Sequence, residues 1–296
     1  MTAPALGSRT FGPWFLAARV KTLPAALVPV AVGTALASRR GQVRPGLVAC
    51  CACFALLVQV ATNMANDLYD AERGADTPAR RGPTRVTAAG LVTPRAMRRA
   101  LLLVNGAAVL LGLPVLLARG PVMIPVGGLA LLAGWAYTGG PFPLAYHGLG
   151  DAFVVLFFGL VAVAGTCYGL SGTLDAGVVL AGLGVGLICD NLLVVNNARD
   201  VETDAAVGKR TLLVRLGQRF GRMQYLVQAA AGFALPFALG ARVGAITLLA
   251  SPISALAGRK LRRARQGRDF NRALGLAAAA LLAYGVVLSV SLAPGR

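Results

Sequence analysis

The sequence predicts an all-α membrane protein, a polytopic bundle of about nine transmembrane helices. Of its 296 residues, 56% are hydrophobic and only 14% are charged, whereas soluble domains carry about 25% charged residues. The charged residues are clustered, and the uncharged runs between them approach the roughly 20 residues that an α-helix needs to cross a bilayer core. The basic residues also alternate strongly between successive loops. These three observations exclude an ordinary soluble domain.

The uncharged runs give nine candidate spans, and we expect between eight and ten membrane helices. Each run is read as a helix because a bilayer core offers the backbone no partner outside its own segment. The fourth span is broken by TGGPFP, and the eighth is short. Asp190 is the single charged residue inside the spans. In order, the spans are residues 22–38, 45–66, 100–118, 120–138, 152–174, 176–198, 223–241, 243–258 and 273–293.

The loop charges predict how the protein is oriented in its membrane, which we expect to be the cell (inner) membrane. The N-terminal segment and the loops after spans two, four, six and eight hold 23 of the 29 Lys and Arg residues. Since basic loops stay in the cytoplasm, we expect a cytoplasmic N-terminus and an outside C-terminus. The net charge of +18 is then a topology signal and gives little support to nucleic-acid binding. The start, MTAPALGSRTFGPW, lacks the pattern of a cleavable signal peptide.

The five cysteines do not predict a metal site. All of them lie within apolar spans, where cysteine usually packs as a small hydrophobic residue. No histidine accompanies the CCAC stretch, and His147 is the only histidine in the chain. The cysteines are Cys50, Cys51, Cys53, Cys167 and Cys189.

Seven of the eleven acidic residues lie in two short stretches, NMANDLYDAERGAD at 63–76 and NNARDVETDAAVGKRT at 196–211. Both stretches follow an apolar span at its predicted cytoplasmic end. Each begins with asparagine and places its carboxylates on one helical face. Because the two stretches are four helices apart, they suggest a pseudo-repeat of two four-helix units within a single domain, 1–296. The spacings are i, i+4 and i+7 for Asn63, Asp67 and Asp70, and i, i+4 and i+8 for Asn196, Asp200 and Asp204.

Carboxylates one helical turn apart repel each other, so both stretches require positive charge. Basic side chains nearby are one source. Mg²⁺ is another, since it is usually held by one or two carboxylates together with substrate phosphates. Two facing acidic helix ends would suit Mg²⁺ ions that bridge a diphosphate, with Arg and Lys on the remaining phosphate oxygens. The alternative is that the acidic residues are solvated caps or local ion pairs.

The two motifs resemble those of the UbiA superfamily of intramembrane prenyltransferases. The first reads NxANDxxDxxxGxD at 63–76, and the second reads NNxRDxxxDxxxGKRTLxVRLG at 196–217. Stretches 17–36, 82–86 and 137–151 agree as well, so the resemblance covers nearly the whole chain in order. It is strongest to the branch that prenylates 1,4-dihydroxy-2-naphthoate in menaquinone synthesis. One departure is Gly74, where many members carry Asp, with Asp76 two residues later.

The resemblance implies a central cavity with both motifs at its cytoplasmic mouth. It further implies Mg²⁺, a polyprenyl diphosphate donor and an aromatic acid acceptor within the lipid bilayer. In the naphthoate branch, transfer is accompanied by loss of the ring carboxylate as CO₂, giving demethylmenaquinone. We expect no nucleic-acid partner and no obligate protein partner.

The resemblance and the chemistry of the motifs together give the candidate site residues. Tyr137 could support an allylic cation with its aromatic face or be an interfacial tyrosine. Asp190 could accept a proton or bind the acceptor, because intramembrane carboxylates tend to face cavities; alternatively it is a packing residue. The expected metal ligands, which are also catalytic, are Asp67, Asp70, Asp200 and Asp204, with Asp76 as a further metal candidate. The expected substrate contacts are Asn63, Asn66, Arg73, Asn196, Asn197, Lys209 and Arg210, with Arg19 and Lys21 facing the acceptor carboxylate or marking a helix end.

Two other functions remain open from the sequence. One is a prenyltransferase for another aromatic acceptor, of the 4-hydroxybenzoate or homogentisate type. The other is a secondary transporter, which would also have broken helices and intramembrane carboxylates. Transporters place their coupling sites near the bilayer midplane, whereas most carboxylates here lie at one boundary. That position favours the enzyme.

Overall fold

The structure, a computed structural model, describes residues 11–76 and 82–293, and every regular element in those ranges is a helix. Short 3₁₀ turns connect some of the helices, at Val20–Thr22, Leu144–His147 and Leu235–Leu239. In chain order the helices are α1 Gly12–Ala18, α2 Pro24–Ser38, α3 Pro45–Glu72, α4 Pro94–Arg119, α5 Met123–Ala136, α6 Gly150–Ser171, α7 Ala176–Ala206, α8 Leu212–Ala234, α9 Ala241–Arg263 and α10 Gly267–Leu292.

Helices α2 to α10 correspond one for one to the nine predicted spans. Within the described residues, six of them are long and apolar enough to cross a membrane, namely α3, α4, α6, α7, α9 and α10. Helices α2 and α5 are shorter apolar helices. The seventh predicted span, 223–241, covers the second half of α8 and the turn Leu235–Leu239. The predicted all-α, polytopic membrane fold is therefore confirmed.

The two helices that carry the acidic motifs continue beyond their apolar runs. The predicted spans end at residues 66 and 198, but α3 continues to Glu72 and α7 to Ala206. Two residues after each helix a glycine takes the left-handed conformation, Gly74 at φ 68° and Gly208 at φ 75°. A glycine at this position commonly terminates a helix because it has no Cβ to clash. Both acidic motifs are therefore helical up to a glycine stop.

Helix α7 is the most buried of the membrane-length helices, and it packs against α6, α8 and α10. Its contact with α6 is close because glycines face each other. A Cβ added to Gly159 would lie 2.5 Å from the carbonyl oxygen of Gly182 and 2.7 Å from Cα of Gly186. Gly159 belongs to a π-helical stretch of α6, Val155–Val161. Small residues at such contacts allow helix backbones to approach within a membrane.

An apolar cavity of about 370 Å³ lies among α2, α3, α4, α5 and α6. On α3 its lining runs from Cys51 to Thr62, which is about 16 Å along the helix axis at 1.5 Å per residue. Thr62 is directly followed by the first acidic motif, so the cavity leads up to that motif. Most of its lining is apolar, with Phe54, Val58, Leu131 and Phe157 as examples.

Candidate active site

At the end of α3, the carboxylate of Asp67 holds the loop that precedes α4. Its Oδ2 accepts the backbone N–H of Val86 at 3.0 Å, and its Oδ1 accepts that of Thr87 at 2.8 Å. Asp67 is buried, with 1% of its surface exposed. Both oxygens therefore bind protein backbone, and they fix where the side chain before Val86 lies.

That side chain is Arg85, which bridges two carboxylates of the first motif. Its Nη2 lies 3.0 Å from Oδ2 of Asp70, and its Nε lies 3.3 Å from Oδ1 of Asp76. All three side chains are at most 7% exposed. Buried carboxylates need such compensation because desolvation of a lone charge is costly. In addition, Nη1 of Arg85 is buried and forms no hydrogen bond within the described parts of the chain.

Tyr146 connects the end of α3 with the segment after α7. Its hydroxyl donates to Oδ1 of Asp70 at 2.9 Å, and its carbonyl accepts the N–H of Arg210 at 3.0 Å. Arg73 and Lys209 lie 5.4 and 5.6 Å from its ring centroid, within the range of cation–π attraction. Burial and the neighbouring Asp70 raise the pKa of Tyr146 above its ordinary value. The phenol therefore stays protonated and remains a donor.

Arg73 and Asn66 anchor the loop after α5. The guanidinium of Arg73 donates to the carbonyl oxygens of Thr138 and Gly140. The hydroxyl of Thr138 in turn donates to Oδ1 of Asn66 at 2.7 Å. The TGG part of the broken fourth span is therefore held against the first motif. Arg73, predicted as a substrate contact, here binds backbone and faces the Tyr146 ring.

At the end of α7, the acidic residues also lie beside basic side chains. Arg199 forms a two-point contact with Asp200, with Nε to Oδ1 at 2.8 Å and Nη2 to Oδ2 at 2.7 Å. The same guanidinium donates to Asn271 on α10 at 3.0 Å. Lys209 Nζ lies 3.7 Å from Oδ1 of Asp204. Both predicted carboxylates of the second motif are therefore in place beside a cation.

Several other predicted substrate contacts lie at the edge of this region. Asn63 donates to the carbonyl of Ala18 at 2.9 Å and to the hydroxyl of Thr22 at 3.0 Å, so it holds the turn before α2. Arg19, half-buried, precedes that turn with a left-handed φ of 48°. The backbone of Lys21 belongs to the turn, and its side chain lies outside what the structure describes. Asn196 is half-buried, Asn197 is buried, and Arg210 is exposed.

Tyr137 stands just after α5, at the end of the cavity nearest the motifs. Its ring lies 5.4 Å from that of Phe153, which lines the cavity. Asp190 is fully buried and accepts hydrogen bonds from two glutamines of α8, Gln224 and Gln228. Sequence reasoning expected Asp190 to face a cavity, and it left Tyr137 open between a cation-facing and an interfacial position. It missed the glutamines, which are uncharged and carry no motif.

The donor chemistry of the two helix ends suits a divalent cation that prefers oxygen ligands. Carboxylate oxygens of Asp70, Asp76, Asp200 and Asp204 and the amide oxygen of Asn66 are the kind of ligand that Mg²⁺ takes. Each of those carboxylates already lies beside a basic side chain, which offsets part of its charge. Among the described residues, no three acidic, histidine or cysteine side chains converge into one ready-made cation site. The residues fit Mg²⁺ as two half-sites.

Comparisons with known proteins identify the family of this chain. Residues 26–282 match the model of the UbiA prenyltransferase family. A relative from Mycobacterium tuberculosis, a 1,4-dihydroxy-2-naphthoate octaprenyltransferase, is 35% identical over 97% of this chain and 99% of its own length. An enzyme of the same name from Escherichia coli is 38% identical over 69% of this chain and 68% of its own.

Solved structures show the same fold. An apo structure of a UbiA homolog from Aeropyrum pernix superposes with a TM-score of 0.69 at 19% identity, over 91% of this chain and 98% of that one. A UbiA homolog from Archaeoglobus fulgidus bound to DMAPP and Mg²⁺ gives 0.62 at 14% identity, over 94% and 99%. With its helical bundle, its cavity and its paired acidic helix ends, the chain belongs to the UbiA prenyltransferase family and is a prenyltransferase.

Proposed function

We propose that this prenyltransferase transfers a polyprenyl group from polyprenyl diphosphate to 1,4-dihydroxy-2-naphthoate. The ring loses its carboxylate as CO₂, and the product is demethylmenaquinone. The observation that carries the proposal is an apolar cavity that leads up to the first acidic helix end, which Tyr146 connects to the segment after the second. This arrangement matches a donor with an apolar tail and a diphosphate head. The names of the curated relatives support the naphthoate as acceptor.

We assign the diphosphate end to the two half-sites. Asp70, Asp76, Asn66, Asp200 and Asp204 would hold Mg²⁺ directly or through water. Bound there, Mg²⁺ supplies Lewis-acid stabilisation of the charge on the departing diphosphate, which contributes several kcal/mol. Asp67 takes a supporting role in this assignment, because both of its oxygens already hold backbone amides.

The basic side chains near Tyr146 would position the phosphates. Arg85 is the strongest candidate, since its Nη1 is buried without a hydrogen-bond partner among the described residues. Lys209 lies across the Tyr146 ring on the other side of the site. Such charge-assisted contacts to phosphate oxygens are stronger than neutral hydrogen bonds. They would hold the leaving group while the C–O bond breaks.

The cavity would protect the allylic cation. Its apolar walls exclude water, and the rings of Tyr137 and Phe153 stand where the cavity meets the motifs. An aromatic face attracts a cation by roughly 0.5–2 kcal/mol. We place the acceptor beside these rings, with Arg19 and Lys21 as partners for its carboxylate. Asn63 keeps the turn that carries them against α3.

The experiment that tests this proposal uses purified protein in lipid. Labelled farnesyl or longer diphosphate is supplied with Mg²⁺ and a panel of aromatic acids, and both prenylated product and CO₂ are followed. We expect Mg²⁺-dependent product with the naphthoate, together with CO₂. Product without CO₂, or product only with 4-hydroxybenzoate or homogentisate, would move the chain to another branch of the family. The absence of product with every acceptor would contradict the proposal.

A further inference from the structure

A second polar group lies inside the membrane-spanning part of the bundle. Asp190 on α7 accepts hydrogen bonds at Oδ2 from Gln228 Nε2 at 2.7 Å and Gln224 Nε2 at 3.4 Å. Gln224 Nε2 also donates to Oδ1 of Asp151 on α6 at 2.6 Å. Asp190 precedes Asn197 by seven residues, so it lies about 10 Å deeper along α7. We call Asp151, Asp190, Gln224 and Gln228 the dicarboxylate cluster.

The dicarboxylate cluster has more hydrogen-bond acceptors than its donors can satisfy. Asp190 Oδ1, Gln224 Oε1 and Gln228 Oε1 are all buried, and none has a hydrogen-bond partner within the described residues. Buried polar atoms are usually paired, and an exception calls for an unseen partner. All three orphaned atoms here are oxygens. The missing partner must therefore supply a hydrogen or a positive charge.

The surroundings of the cluster supply no cation. Within residues 11–76 and 82–293, no arginine, lysine or histidine contacts either carboxylate. The other ionisable groups near it are Tyr137 and Cys189. Two neighbouring carboxylates cannot both ionise cheaply at this depth, because like charges repel and a lone intramembrane charge is costly.

We propose that the dicarboxylate cluster is a proton-binding site, in which Asp151 and Asp190 share one proton. A proton on Asp190 Oδ1 removes one negative charge. It also converts an orphaned acceptor into a donor, in a cluster that holds two orphaned glutamine oxygens. One proton thus reduces both the negative charge of the cluster and its shortage of hydrogen-bond donors.

The cluster borders the place that we assign to the aromatic acceptor, so its role in transfer rests on the proposed function. Asp151 follows Gly150, and a Cβ built on Gly150 would lie 3.2 Å from the hydroxyl oxygen of Tyr137. An acceptor beside Tyr137 could pass its hydroxyl proton to the ionised carboxylate of the cluster. The O–H bond breaks and its electron pair stays on the oxygen, which makes the ring a better nucleophile for the allylic carbon.

Infrared spectroscopy of the full chain in lipid nanodiscs, without substrates, tests the proton-binding site. We expect a carboxylic-acid C=O band at neutral pH that shifts in D₂O and is lost in Asp190→Asn or Asp151→Asn. The control is Asp175→Asn. Burial tends to raise the pKa of Asp175, but hydrogen bonds from the Val178 N–H and Arg40 hold that pKa below its ordinary value. The carboxylic-acid band should therefore be unchanged in this variant. Absence of the band in the parent protein, or its survival in both cluster variants, overturns the proposal.

The pH–rate profile tests the exchange step separately. We expect Asp190→Asn to flatten the pH dependence of transfer at saturating donor. An unchanged profile would overturn the exchange step. The infrared result does not depend on catalysis, so failure of the proposed function and failure of the proton-binding site are distinguishable.

Discussion

At the residue scale, two carboxylates of the first motif are paired with Arg85, which lies outside the motif. Arg85 neutralises Asp70 and Asp76, and Asp67 holds the backbone that presents Arg85. A buried network of this kind is stable only when each charge keeps its partner. Arg85 is therefore both a structural counter-ion and, in our proposal, a phosphate contact.

We predict that Arg85→Ala lowers the transfer rate by roughly 10²–10³, the loss typical of removing one group that stabilises transition-state charge. It also removes the arginine that pairs with two buried carboxylates, so the free energy of unfolding should fall by about 3–5 kcal/mol. Steady-state rates and thermal unfolding in detergent measure the two effects.

The matched control for this prediction is Arg98→Ala. Arg98 pairs with Glu72 at the same helix end, but its side chain is 55% exposed. Exposed pairs contribute about 0–1 kcal/mol, so both rate and stability should stay near those of the parent. An Arg85→Ala protein that behaves like Arg98→Ala would exclude Arg85 from the site.

A second prediction separates the two aspartates of the first motif. Asp70→Asn should abolish transfer, because Asp70 belongs to the diphosphate end, and it should also lower the unfolding midpoint, because Asp70 is the buried partner of Arg85. Asp67→Asn should lower transfer and also cost about 1–3 kcal/mol of stability, because an amide cannot accept from both Val86 and Thr87. Rates at varied Mg²⁺ and thermal unfolding measure both. If Asp67→Asn raised the Mg²⁺ requirement and left the midpoint unchanged, Asp67 would return to the metal ligands.

The sequence predicted the carboxylates of the site but not their partners. Helical spacing relates Asp67 to Asp70 because they are three residues apart on one helix. Tyr146 is 76 residues from Asp70, and Arg85 is 15 residues away across a loop. Contacts of this kind depend on tertiary packing, which no local period encodes. Both residues lie within stretches that match the family, and that match was the only available signal.

At the element scale, the site depends on helices that extend past the apolar runs and on tight packing beneath it. The runs predicted where helices cross the apolar core, whereas Gly74 and Gly208 decide where α3 and α7 end. The glycine contact between α6 and α7 sets the depth at which the dicarboxylate cluster forms, since it fixes α6 against α7.

We predict that Gly159→Ala destabilises the protein by about 1–3 kcal/mol, because its Cβ would meet the backbone of Gly182 and overpacked sites cannot relax. The control is Gly275→Ala on α10, where an added Cβ meets nothing within 4 Å. That change should be neutral or stabilise by up to about 1 kcal/mol through helix propensity. Thermal unfolding in detergent compares them. Equal midpoints for the two variants would contradict the close α6–α7 contact.

At the scale of the whole molecule, the polytopic helical class and the order of the apolar helices could be read from the sequence, because the bilayer requires long uncharged runs. The cavity could not be located in this way. Its walls come from five helices, and periodicity does not reveal which helices are neighbours. The pseudo-repeat of two four-helix units stays a prediction.

The orientation in the membrane leads to a prediction for cells. In a background without the five native cysteines, Arg39→Cys should react with a membrane-impermeant thiol reagent added outside, whereas Glu202→Cys should react only after permeabilisation. Both positions are exposed, so the difference would come from sidedness, as the positive-inside rule requires. The reverse labelling pattern would overturn the proposed orientation.

Helices α3 and α7 both have their C-termini at the site, and the partial charge of these C-termini affects which ligands bind there. Each helix C-terminus carries the equivalent of about half a negative charge from its aligned peptide dipoles, which adds to the field of the carboxylates. The basic side chains that pair with those carboxylates offset only part of this field, so a diphosphate should bind more weakly alone than together with a cation. In low Mg²⁺ the enzyme should therefore hold less donor, even in a membrane that is rich in it.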